Sequence, residues 1–522
     1  MAEFDVTVVG SGVSGLVAGA LLARSGLGVC VVEEQPRPGG YLQGFSRRGF
    51  TFDTAVQWLI GMGPEALTGR LLSWLGDGAP SCPPLRRIRR YKGDSFDYLL
   101  TDEPDQLRDR LAGEFPAQSG GIRRLFDDSR RLGDFMRELY RLSRTPDTMS
   151  AWAKTGFGLG MLRRYLPLRR NLRALLEPGL ARYVQGTEVG RLFAGEEKLV
   201  SAMAPIAWAY QRDYYAPPTG GCQSIVAWLV ARLERAGGKL LLREAVDQVL
   251  LENGRTAGVR CASGRTVTSR FVLAACDVQR LYERMLPAGA VPAKLLRKLD
   301  RADLYYSNFT LFLGLSCDPR TLGLGEEVVN LTRDEMSREA HNSGRPHETS
   351  LTVIAPSTRD STMAPEGKGT LTIHCPAWLS QREVWKTGPR HERGEEYQRA
   401  KEDFARILLE RVDRCLAPGL ARHVEHTEIA TPVTYWRYTA NREGSIMGGK
   451  PTDRNVQARI AHYRTPVKGL FLGGHWSEYG GGVPLAVKSA ANTSLLILKE
   501  AAPKAFAELR DVMDDVRARA SA

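Results

Sequence analysis

Near the start of the chain, Gly10, Gly12 and Gly15 stand in a G-x-G-x-x-G pattern with Ser11, Val13 and Ser14 between them. Gly10 permits a tight turn, Gly12 lets the backbone approach a pyrophosphate, and Gly15 lets a helix pack closely on a strand. A helix that begins here meets phosphate charge with free N–H groups. Glu33, with Glu34 beside it, closes a later apolar run, where a carboxylate can accept from both hydroxyls of a ribose. A carboxylate there argues against a 2′-phosphate, so the pattern fits NAD or FAD and disfavours NADP.

The elements that must position these residues are legible around them. Residues 5–9 are a β-branched run, residues 16–24 have a helix pattern that Gly26 ends, and residues 29–32 form a second apolar run. Strand, turn, helix, strand and acid follow in the order of a βαβ unit. Arg37, Gly39 and Gly40 come directly after the acids, and a short strand then leads through Phe52 and Asp53 to Gln57 and Trp58.

The acid followed by Arg37-Pro38-Gly39-Gly40 resembles the long FAD fingerprint of the amine oxidase and phytoene desaturase superfamily. Three further blocks resemble it in the expected order. Residues 217–221 (Pro-Pro-Thr-Gly-Gly) precede an amphipathic helix carrying Ile225, Leu229 and Leu233, and then Gly237 and Gly238 lead to Val246. By pattern alone, the segment from there to Asp277 reads as an ordinary β-meander; the resemblance makes it part of the cofactor domain and implies that Val246 brackets the adenine. Residues 465–476 end a strand at Gly473, Gly474, His475 and Trp476, and Gly480, Gly481, Gly482, Val483 and Pro484 lead into a helix over 485–498. This last block closely resembles the phytoene desaturase, carotenoid isomerase and retinol saturase branch. A helix N-terminus aimed at a flavin pyrimidine would stabilise negative charge on the reduced ring.

The resemblance implies an α/β fold: a Rossmann-like FAD-binding domain with a discontinuous substrate domain of mixed sheet and helices. The expected cofactor segments are 1–80, 215–290 and 460–500, and the expected substrate segments 81–214 and 291–459. Departures from the family pattern are Ala55 for a glycine, Gln57 for a histidine of retinol saturase-like members, and Glu478 where bacterial desaturases often carry histidine. The expected activity is FAD-dependent desaturation of a hydrophobic polyene or isoprenoid by hydride transfer to flavin N5. The alternatives are saturation or cis–trans isomerisation, amine oxidation, and a non-catalytic lipid escort of the GDP-dissociation-inhibitor type. Glu478 is the candidate acid/base, and Gln57, Trp58, Trp436, Tyr438, Trp476 and Tyr479 are the candidate substrate-lining residues. Without a cysteine in the last block, the FAD is expected to be non-covalent.

Composition bounds these readings. The chain has 522 residues, 43% apolar and 25% charged, as in a soluble globular protein of several domains. Its 72 Lys+Arg against 59 Asp+Glu give a net charge of +13, which suits an anionic partner. Between Thr148 and Leu176 there is no acidic residue, and Lys154, Arg163, Arg164, Arg169, Arg170 and Arg173 alternate with Trp152, Leu159, Leu162, Leu166 and other apolar residues. The stretch reads either as docking on an anionic membrane surface or as a solvated helix face. Arg86, Arg87, Arg89, Arg90 and Lys92 invite the same reading more weakly. No nucleic-acid module, metal-ligand cluster or run of about 18 apolar residues appears. Eight scattered cysteines indicate a reducing compartment, so the expected setting is cytoplasmic, peripheral on the inner face of a membrane. The tail over 501–522 aligns Phe506, Leu509, Met513 and Val516 on one helical face and is expected to pack on the protein.

Overall fold

The computed structural model of the chain describes residues 2–141, 144–186, 188–388 and 390–514. Its first sheet has seven strands. The strand Phe4–Val9 lies at the centre, parallel to Val29–Val32 on one side and to the end of Thr266–Ala274 on the other. Lys239–Leu241 extends one side, and Leu470–Leu472 joins Thr266–Ala274 in parallel. The first half of Thr266–Ala274 turns away to pair antiparallel with Arg255–Cys261, which pairs in turn with Val246–Glu252. Val29–Val32 and Leu470–Leu472 are buried throughout because helices cover one face of the parallel part and the strands Val246–Glu252 and Arg255–Cys261, with residues 278–299, cover the other.

Two helices lie side by side on this sheet. Val13–Arg24 comes from the first βαβ unit and Val483–Ala501 from the last turn. The second carries Ser489, Asn492, Thr493 and Ser494 with no exposure at all. Buried polar groups need partners, and Thr493 donates to the Leu472 carbonyl at 2.8 Å while Ser489 accepts from the Gly474 amide at 2.7 Å. The tail forms the helix Pro503–Asp514, with Leu509 and Met513 buried in the same core; Val516 lies outside the described residues.

The second sheet also has seven strands, in the order Val424–Ala430, Ser307–Leu315, Gly369–Ala377, Leu351–Ile354, Val328–Leu331, Arg87–Lys92 and Asp97–Thr101. One face packs on the helix Glu395–Cys415, where Phe309 stacks on Phe404 with ring centroids 4.2 Å apart. The other face looks toward the nucleotide-type sheet. A helical lobe built from Pro104–Glu114, Ser119–Arg141, Ala151–Arg173 and Leu199–Tyr210 flanks it.

The strand Arg87–Lys92 corrects the membrane reading of its basic residues. Arg87 pairs with Glu327 at 2.7 Å and Arg90 with Asp97 at 2.7 Å, while Arg89 lines the cavity; alternation sets Arg89 apart from Arg90, and a register irregularity between Arg87 and Arg89 sets those two apart. The stretch Ala151–Arg173 behaves differently. It is a helix on the surface, with Trp152 89% and Leu159 64% exposed.

Asp53, at the end of Phe50–Asp53, ties this strand to the start of the helix Gln223–Arg235 by accepting from the Cys222 amide at 2.8 Å. Burial pushes its carboxyl up to about 7, with the Cys222 amide opposing the rise. A folded-state value above the unfolded one, about 3.9, makes stability fall as pH rises between the two. Asp53→Asn keeps an acceptor and removes the charge. The thermal midpoint of the variant relative to the parent is therefore expected to rise from pH 4 to about pH 7 and then level off. Parallel curves across that range would refute the assignment.

Candidate functional site

Both glycine-rich turns open on one cavity of about 1340 Å³. Gly10, Gly12, Val13 and Ser14 form one part of its wall, and Gly473, Gly474, His475, Trp476, Gly482, Val483 and Pro484 another. The turns touch through the sheet: the Gly473 amide donates to the Ala274 carbonyl at 2.8 Å. A Cβ on Gly473 would stand 3.2 Å from the Ser14 hydroxyl, and a Cβ on Gly15 would collide with the Gly10 carbonyl. Glycine is required at Gly15 for this packing, and at Gly480, Gly481 and Gly482 because φ is +107°, +67° and +85°.

The first turn fits a pyrophosphate. The Ser14 hydroxyl is buried with no hydrogen-bond partner. The helix Val13–Arg24 has no side-chain cap, which leaves its first N–H groups free. A Cβ on Gly12 would meet nothing within 4 Å, so the backbone is bare where a phosphate must approach. Glu33 is held on the wall by the Ser11 amide at 2.8 Å, the Ser11 hydroxyl at 2.6 Å and the Gln35 amide at 2.9 Å. A carboxylate offers about four acceptor sites, so these three bonds orient Glu33 and leave it able to accept from a ribose. Glu34 pairs with Arg280 at 2.8 Å, and Val246 adds a buried apolar edge; all three line the cavity.

At the second turn, His475 lies against Tyr41 with centroids 6.4 Å apart. Burial pushes the His475 imidazole down to about 4, so it is neutral at physiological pH. Tyr41 donates to the Ser445 carbonyl at 2.7 Å. The helix Val483–Ala501 starts at the wall, with its N-terminal N–H groups and partial positive charge on the cavity side.

The remaining sequence candidates divide. Gly40, Gln57, Trp58, Tyr438 and Trp476 line the cavity. Gly39 lies behind the wall, where its amide donates to the Ser11 carbonyl at 2.9 Å, and Gly15 is likewise a supporting residue. Arg37 is exposed and is not part of the wall. Trp436 packs on His391 at 4.8 Å, and Tyr479 donates to the Asn455 carbonyl at 2.7 Å; neither reaches the cavity. Glu478 is also a correction. Its carboxylate accepts from Tyr463 and pairs with Lys488 at 3.2 Å, away from the cavity wall. The turn that presents Trp476 to the cavity sends the side chain two residues later to the other side, where Lys488 holds it.

The cavity also takes in residues that the motifs did not single out, among them Arg89, Tyr91, Glu196, Asn330, Thr352 and His374. For Arg89 and Tyr91 the signal was present as i, i+2 alternation in a strand; for Asn330, Thr352 and His374 it lay only in the pairing of distant strands, and Glu196 comes from a loop.

Comparison with known proteins matches the family model described as flavin containing amine oxidoreductase over residues 13–498. The chain is 27% identical to an all-trans-retinol 13,14-reductase of Danio rerio, over 90% of this chain and 82% of the relative. It is 25% identical to a prolycopene isomerase of an Oncidium hybrid cultivar, over 92% of this chain and 81% of the relative. It is also 25% identical to a lycopene-forming phytoene desaturase of a Paracoccus species, over 95% and 97%. Among solved structures, a cyclohexylamine oxidase from Brevibacterium oxydans superposes with a TM-score of 0.57 at 16% identity, covering 95% of this chain and 99% of that one. An oxidoreductase from Methanosarcina mazei gives 0.59 at 16% identity, covering 95% and 100%. These structural likenesses are likenesses of fold. With the family match running from the helix after the first glycine-rich turn through the whole of the second, the chain belongs to the flavin containing amine oxidoreductases and is an oxidoreductase with FAD as its cofactor.

Proposed function

We propose that the protein is an FAD-dependent oxidoreductase of a long polyene or isoprenoid lipid, with desaturation as its reaction. The observation that carries this reading is the size and continuity of the cavity. At about 1340 Å³ it exceeds the roughly 300–1,000 Å³ of ordinary ligand sites, and it runs from the nucleotide turn to the far strands of the second sheet. It has room for a cofactor and an extended substrate together. The relatives named as acting on retinol, prolycopene and phytoene support the same class.

When bound, FAD supplies the two-electron redox chemistry that desaturation requires. The chain's own residues do the rest. Gly12, Ser14 and the N-terminus of Val13–Arg24 would hold the pyrophosphate without a covalent bond, Glu33 would take the ribose, and Val246 would bound the adenine. Gly482, Val483 and Pro484 would present the second helix N-terminus to the flavin, where its partial charge would favour added negative charge. Trp58, Tyr438 and Trp476 supply aromatic faces that orient a polyene and stabilise positive charge developing on it.

Substrate entry from a membrane belongs to the same reading. The helix Ala151–Arg173 exposes Trp152, Leu159, Leu162 and Leu166, and Leu172 on the same helix lines the cavity. No helix among the described residues is long and apolar enough to cross a membrane. Each basic residue near an anionic surface contributes about 1 kcal/mol, so the six on this stretch give reversible docking beside the cavity.

Acid precipitation releases all the flavin from the parent protein. Ser14→Ala lowers FAD affinity about ten- to hundredfold, as for loss of one hydrogen bond to a charged group, and Gly12→Val is purified colourless; unchanged flavin content in both variants refutes the assignment. Under anaerobic conditions, phytoene or another polyene bleaches the oxidised flavin band. Turnover of the polyene only after prior reduction of the flavin favours saturation or isomerisation instead, and bleaching by a primary amine alone refutes the reading. In flotation, the protein rises with phosphatidylserine-containing vesicles at low salt and less at high salt, and Trp152→Ala with Leu159→Ser reduces the floated fraction. Recovery of all protein at the bottom of the gradient at every salt concentration removes the membrane part.

A further inference from the structure

The face of the second sheet that looks into the cavity is polar, which a hydrocarbon substrate does not require. His374, Thr352, Asn330 and Tyr91 come from four adjacent strands and stand in direct register: His374 opposite Thr352, Thr352 opposite Asn330, and Asn330 opposite Tyr91. All four line the cavity. The row spans three strand spacings of about 4.8 Å, roughly 14 Å. Among the described residues, the side chains of these four have no hydrogen-bond partner in the protein, and the Tyr91 hydroxyl is fully buried. On the opposite face of the same strands, Val329, Leu331, Leu351, Val353 and Ile373 belong to the apolar core. The polar side is therefore a property of the cavity and not of the strands.

The row ends at a cation. Arg89, two residues before Tyr91 on the same strand face, lines the cavity with its Nε buried and unpartnered. Its guanidinium lies 5.6 Å over the ring of Trp58. No carboxylate among the described residues is within ion-pair distance of it, whereas its neighbours Arg87 and Arg90 are both paired. A buried donor of a charged group is costly to leave without an acceptor. Glu196 shares this end of the cavity, and burial raises its carboxyl above the usual range, with Arg89 opposing.

We infer that the substrate is an amphipathic polyene or isoprenoid carrying a carboxylate at one end, and that Arg89 and Tyr91 receive this group. The guanidinium fork matches two carboxylate oxygens, and the Tyr91 hydroxyl is placed to donate to one of them. His374, Thr352 and Asn330 then face the first part of the chain, where oxygen substituents or bound water can use their donors. This inference rests on the polyene reading above and narrows it from hydrocarbons to acids.

The test is equilibrium binding to the FAD-loaded protein, followed by tryptophan quenching, with all-trans-retinoic acid and all-trans-retinol as probes that differ only at the head. The acid is expected to bind about ten- to hundredfold more tightly, as for a charge-assisted pair. Arg89→Gln abolishes that preference by weakening the acid alone, and Arg89→Lys keeps part of it. The flavin spectrum of each variant reports that the site remains folded. Equal affinity of acid and alcohol for the parent overturns the inference, as does Arg89→Gln weakening both probes alike. If polyene hydrocarbons bleach the flavin while the acid has no advantage, the polyene reading stands and the head-group site falls. If neither probe binds and no polyene bleaches, both fall.

Discussion

The structure depends on a close approach that admits no side chain. The turn after the first strand and the turn after the last strand meet on either side of Thr266–Ala274, with Gly473 bonded to Ala274 and Gly15 pressed against Gly10. Because these contacts are backbone to backbone, two segments more than 450 residues apart in sequence become one wall. The helices that leave the turns lie side by side, and the second bonds back to its own strand end through Ser489 to the Gly474 amide and Thr493 to the Leu472 carbonyl. Every other element of the cofactor half is arranged around that pair.

Electrostatics follows from the same arrangement. Two helix N-termini face one cavity, so partial positive charge is concentrated where a dinucleotide carries phosphates and where a reduced ring carries an electron pair. The histidines nearby do not add to it. Burial pushes His374 and His475 down to about 4 and keeps both neutral. Under the second sheet, Arg89 stands at the end of a polar row in a sheet whose other face is an aliphatic and aromatic core, and Lys198, Arg338 and Lys450 also line the cavity.

Local pattern made some site residues legible and misplaced others for identifiable reasons. Gly10, Gly12, Ser14 and Glu33 could be read because a βαβ unit is short and its glycines have conformational tasks. Gly482, Val483 and Pro484 could be read because three left-handed glycines before a proline leave little else for the chain to do. Glu478, Tyr479 and Trp436 sit one to a few residues from Trp476 and Tyr438, which do line the cavity, yet they point elsewhere. In an irregular turn or a short helix, direction changes residue by residue, and Lys488 and Asn455 captured the polar ends. The basic run from Arg86 to Lys92 looked uniform as a string, but in the strand Arg87 and Arg90 form ion pairs while Arg89 turns into the cavity with its Nε buried and unpartnered.

The amino-acid sequence by itself determined the dinucleotide-binding βαβ unit, the second strand-to-helix turn and the amphipathic helices, because each is specified by spacing within a few dozen residues; FAD over NAD came from the resemblance of the surrounding blocks to a known family. Only the tertiary structure decided that His374, Thr352, Asn330 and Tyr91 form one row, that Arg89 closes it, and that Glu478 stands outside. Strand order in the second sheet brings residue 91 beside residue 330 and residue 330 beside residue 352. Pairing of that kind is settled by the burial of a whole sheet face against the helix Glu395–Cys415, a collective packing energy that no local window of the chain contains.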